Sequence, residues 1–189
     1  MNNEIKMKNS KITEDINSIK EKILEISFFT ACAGTISVAE TLIPKPLPFL
    51  KIGLANIVIL ILIMNKKNLT ALIVILGKTL LSGLIIGTLL MPTTIIALVS
   101  GLLSFSVMIL LRDNRLGLSW IGVSVLSAVV HNMSQLVVVR GVLIYSNSIF
   151  KLTPLMIILG VVSGILTGVL SLELNKKISW RINGEKEKK

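Results

Sequence analysis

The chain has 189 residues, 52% of them hydrophobic and 16% charged, with a mean hydropathy of +0.82. That composition excludes an ordinary water-soluble domain and indicates a polytopic membrane protein. The net charge of +10 does not indicate a nucleic-acid partner, because the cations are sorted by side of the membrane.

Residues 1–25 form a polar leader of mixed charge. Ile12, Ile16, Ile19, Ile23 and Ile26 recur every three or four residues opposite Lys and Glu, which predicts an amphipathic helix, lying on the membrane surface or docking a cytoplasmic partner. Its length, its mixed charge and the lack of a small-residue cleavage site argue against a secretory signal. Residues 26–174 then hold six apolar segments: Ile26–Ile43, Phe49–Met64, Leu69–Met91, Thr93–Leu111, Leu118–Tyr145 and Pro154–Leu174. A bilayer core needs about 20 helical residues, a length the second segment does not reach. A basic tail, residues 175–189, follows. The lone cysteine, Cys32, sets no disulfide framework and reads as a buried thiol.

With six spans, Lys and Arg concentrate in the leader, in the second and fourth loops (Lys66, Lys67, Arg112, Arg115) and in the tail. The opposite side has only Lys45, Lys51 and Lys151, while Lys78 and Arg140 lie inside apolar segments. This asymmetry predicts cytoplasmic termini in a multi-pass protein of the cell membrane. Trp120 and Trp180 then belong at the inner interface, Phe49 and Tyr145 near the outer one.

Small residues mark helix faces. Ser27, Ala31, Thr35 and Ala39 make a stripe on the first span, read equally as internal packing or as a flat surface for another membrane protein. Gly83 and Gly87 in the third span, and Gly160, Gly164 and Gly168 in the last, read as ordinary intramolecular packing. Pro44, Pro46 and Pro48 predict a stiff first loop.

Polar residues inside a bilayer are costly and face a bundle interior or a wet cavity. Glu40, Lys51, Asn56, Lys78, His131, Asn132, Gln135 and Arg140 fall in the middle or outer half of the membrane. They predict one outward-open pocket, and on the fifth span His131 and Gln135 share a face that Ser124 and Ser127 extend inward. Glu40 is expected to pair with Lys51 or Arg140 as a structural counter-ion. The remaining cations favour a small anionic solute, oriented by His131, Asn132 and Gln135. Lys78 and His131 lie too deep to snorkel.

Two stretches carry a family resemblance: Pro44–Pro48 followed by Lys51-Ile-Gly-Leu-Ala-Asn-Ile57, and Gly122-Val-Ser with Ala128-Val-Val-His-Asn-Met-Ser-Gln135. From about Phe28 to Leu172 the chain resembles the Gx transporter family, also labelled heptaprenyl diphosphate synthase component I. The layout is similar to the six-helix substrate-binding subunits of energy-coupling-factor transporters. The resemblance implies a separate transmembrane coupling subunit and two ATPases, docked through the stripe Ser27, Ala31, Thr35, Ala39. Where the family leads us to expect arginine in the third span, this chain has Lys78, which keeps the charge and loses the planar fork.

The alternative label implies a membrane accessory subunit of a prenyl diphosphate synthase. Chain elongation uses Mg²⁺ held by repeated aspartates, whereas this chain has only Asp15 and Asp113, and Glu40 is its intramembrane acid. No Walker loop, zinc spacing or nucleophile triad is present. The expectation is therefore an all-α, six-span, S-component-like bundle with no catalytic residues, cofactor or metal, binding a small solute for uptake.

Overall fold

A bilayer offers no water to backbone groups, so each long apolar run closes its own hydrogen bonds as a helix. The structure, a computed structural model, describes residues 2–43, 52–113, 117–143 and 146–186. Its elements are α1 (Asn2–Leu42), α2 (Asn56–Met64), α3 (Asn68–Ile86), α4 (Pro92–Leu111), α5 (Trp120–Val142), a 3-10 helix over Asn147–Leu152, and α6 (Thr153–Lys186). All except α2 and the 3-10 turn are long and apolar enough to cross a membrane. The protein is an all-α, multi-pass membrane protein.

Helix boundaries follow local chemistry. Pro92 opens α4 at the first helical position, and the Ser119 hydroxyl caps α5 by accepting the Gly122 N–H. α3 stops five residues short of the predicted Met91. Gly87 takes the left-handed conformation (φ 75°), and the Thr88 and Gly87 N–H groups close back onto the Gly83 and Leu84 carbonyls. This is a Schellman cap, so Gly87 ends a helix and is not a packing position. α2 ends on the same motif, with Lys66 (φ 59°) at the position that favours glycine.

At both ends the helices run beyond the apolar segments. The leader is continuous with the first span: α1 runs unbroken through residues 25 and 26, where a separate surface helix would need a bend. Ile12, Ile16, Ile19 and Ile23 are exposed along it. The tail likewise continues α6 as far as Lys186.

Close backbone approach orders the spans. A Cβ added to Gly160, Gly164 or Gly168 would meet the Cα atoms of Val129 (2.8 Å), Val125 (2.5 Å) and Ile121 (3.0 Å), so α5 and α6 lie antiparallel with backbones touching. Gly34 against Leu81 and Gly77 against Thr30 bring α1 and α3 together in parallel. In the middle sits α2, with Ala55–Ile63 buried at every position. Val58, Ile59, Leu60, Leu62 and Ile63 pack on Ala33, Ala71, Val74, Ile75, Met108 and Val123. Trp120 and the free thiol Cys32, both partly buried, pack against this cluster.

The second segment departs most from a regular span. α2 has nine residues, a rise of about 14 Å against a core of about 30 Å. Its flanks are tied to α1 at two levels. The Gly53 N–H donates to Glu40 Oε1 at 2.8 Å, and Lys67 Nζ donates to Glu25. Residues 53–67 therefore run back along roughly 22 Å of α1. The lower part of this crossing is helix and the upper part is a turn through Leu54 and Ala55.

Candidate functional site: a polar cavity at the start of α2

Non-helical backbone at membrane depth persists only where protein buries it or where it lines a cavity. Both conditions hold here. Gly53, Ala55 and Asn56 border a cavity of about 20 Å³ whose other walls are Ser37 and Glu40 of α1, Lys78 and Thr79 of α3, Ala97 of α4 and His131 of α5. Gly53 has φ 89°, in the left-handed region, and a Cβ there would lie 3.2 Å from Asn56 Nδ2 and 3.7 Å from His131 Cδ2. Glycine thus permits both the turn and the closeness of the walls.

The side chains are buried and tied together. Glu40, Asn56, Lys78 and His131 are each 8% exposed or less. Glu40 holds the turn through the Gly53 N–H, and Lys78 Nζ donates to Asn56 Oδ1 at 2.8 Å. A carboxylate, an ammonium, an amide and an imidazole from four helices therefore face one space. That space holds about one water, so a larger solute enters only when the walls part.

The predicted lining separates into groups. Glu40, Asn56, Lys78 and His131 border one void. Lys51 lies outside the described residues, as do Pro44, Pro46, Pro48, Phe49 and Tyr145, and the side chain of Trp180 is likewise not described. Asn132, next to His131, points elsewhere: its Nδ2 donates to the Met156 carbonyl of α6 at 3.0 Å. Gln135 is fully buried and does not border the cavity. Arg140 is exposed, 6.0 Å from the Phe150 ring, a cation–π geometry outside the lining. Ser124 and Ser127, farther along α5, are buried and bonded within the α5–α6 pair. Ser124 shares a 2.8 Å hydrogen bond with Thr167, and Ser127 donates to the Ser124 carbonyl.

Ser37 and Thr79 also line the cavity and were not anticipated. Each had a faint signal, one turn before Glu40 and next to Lys78 respectively. The stripe Ser27, Ala31, Thr35, Ala39 is exposed at all four positions, while Ala33, Gly34, Ser37 and Glu40 face inward. Among the described residues, no three His, Cys, Asp or Glu gather as a metal site requires.

Fold and site define a polytopic α-helical membrane protein with a polar cavity beside the start of a short central helix. The family model described as heptaprenyl diphosphate synthase component I matches residues 29–174, and the chain belongs to that family. No curated protein and no solved structure matches it.

Proposed function

We propose that the chain is the solute-binding subunit of an uptake system of the energy-coupling-factor type, in the cell membrane with both termini cytoplasmic. One observation carries this reading: Glu40, Asn56, Lys78 and His131 converge on one polar cavity where α2 begins after a non-helical turn. Discontinuous helices are where membrane transporters hold their substrates, because freed backbone groups and a helix terminus become available there. Glu40 stands against Lys78 in the lining, so the cavity suits a small polar solute with balanced donors and acceptors better than a strongly anionic one. The outward stripe Ser27, Ala31, Thr35, Ala39 is the proposed contact for a transmembrane coupling subunit that works with separate ATPases.

Native mass spectrometry of the protein extracted with its small molecules tests the cavity. A co-purifying solute should be lost in both Lys78→Met and His131→Ala while the helical bundle persists. Retention of the solute in both variants removes these residues from the site.

The family's description favours a second reading, a membrane accessory subunit of heptaprenyl diphosphate synthesis. Affinity purification from native membranes separates the two. Coupling and ATPase subunits support transport, whereas a soluble aspartate-rich synthase supports the accessory role.

A further inference from the structure

A second cleft lies at the opposite level of the bundle, between α1 and the turn joining α2 to α3. Its volume is about 340 Å³, and Lys22, Lys66 and Lys67 line it together with Ile26, Leu69 and Ile73. The acid in the lining, Glu25, is already engaged by Lys67. Lys22 and Lys66 are both exposed, leaving the cleft an excess of positive charge. Asn68 and Thr70, from the first turn of α3, complete the wall. Asn68 Oδ1 is buried there without a hydrogen-bond partner. Below the lysines, Leu69 and Ile73 are 72% and 38% exposed along α3, a spanning helix.

We propose that this cleft binds the headgroup of an anionic phospholipid, with its acyl chain lying along Leu69 and Ile73. Charge and position select that occupant. A basic cleft at the start of the spanning helix α3 meets a negative headgroup, and the apolar wall continues in the direction the acyl chains take. A free phosphate matches the lysines and makes no use of the apolar wall. Sorting of cations by membrane side places lysines near the helix end but does not require a cleft among them. The proposal does not depend on the polar cavity or on transport.

The test uses the full chain in detergent, titrated with phosphatidylglycerol or with phosphatidylcholine of the same acyl chains and followed by native mass spectrometry. Phosphatidylglycerol should bind on the order of tenfold more tightly, as expected for lysines beside an anionic headgroup. The double variant Lys22→Gln, Lys66→Gly should lose that preference while still binding phosphatidylcholine. Glycine is the favoured residue at the left-handed position 66, so this variant does not put folding at risk. Equal binding of the two lipids by the unaltered chain overturns the proposal. So does an undiminished preference in the double variant, or full competition by millimolar inorganic phosphate.

Discussion

The α5–α6 seam and the cavity beside α2 both gather polar side chains inside an apolar bundle, and they do so in opposite ways. In the seam, three glycines bring backbones into contact, and each hydroxyl bonds within its helix or to its neighbour. Ser124 meets Thr167, Thr167 donates to the Gly164 carbonyl, and Ser171 donates to the Thr167 carbonyl, with the Ile57 carbonyl of α2 3.3 Å away. At the cavity the polar groups are longer and charged, come from four helices, and surround a void. Polar residues in a membrane protein can therefore be glue or site, and the difference is whether their neighbours fill the space.

Four substitutions break or sharpen that contrast. Gly164→Leu should have the largest effect, because even a Cβ there sits 2.5 Å from Val125 Cα. We expect a loss of more than about 3 kcal/mol and no monodisperse bundle by size-exclusion chromatography. Recovery of a normally stable protein would mean that α5 and α6 do not touch. Lys78→Met should act on binding instead. Removing a charged hydrogen-bond donor predicts a roughly tenfold to hundredfold weaker solute affinity with helicity by circular dichroism retained. Gly53→Ala tests the cavity's glycine against the seam's. The strained φ and the nearness of Asn56 predict a cost of about 1–2 kcal/mol and a smaller cavity, read as lower thermal stability together with weaker solute binding. Thr167→Val should matter least, about 0.6 kcal/mol for one interhelical hydroxyl bond, measurable as a small shift in a denaturation midpoint. A larger loss there than at Gly53 would reverse the assignment of glue and site.

Much of this architecture is written in the chain. Run length and hydropathy determine the five long spans, because a helix is the structure that lets an apolar segment satisfy its own backbone in lipid. The brevity of the second segment is visible too, as are the rarity and depth of Glu40, Asn56, Lys78 and His131. The direction of each side chain is not visible in the same way. His131 and Asn132 are neighbours of similar polarity, yet a step of about 100° around α5 sends one to the cavity and the other to the Met156 carbonyl. Hydropathy has no means of separating them, since lipid and protein interior are equally apolar surroundings for a helix. For the same reason the small stripe on α1 reads as internal or external until α3 is seen against the opposite face. Only tertiary packing decided that α2 is central, that its upper turn is held by Glu40, and that Arg140 and Gln135 lie outside the lining. These depend on which helix lies against which, and a bilayer that rewards every apolar surface alike leaves that choice to close contacts between particular residues.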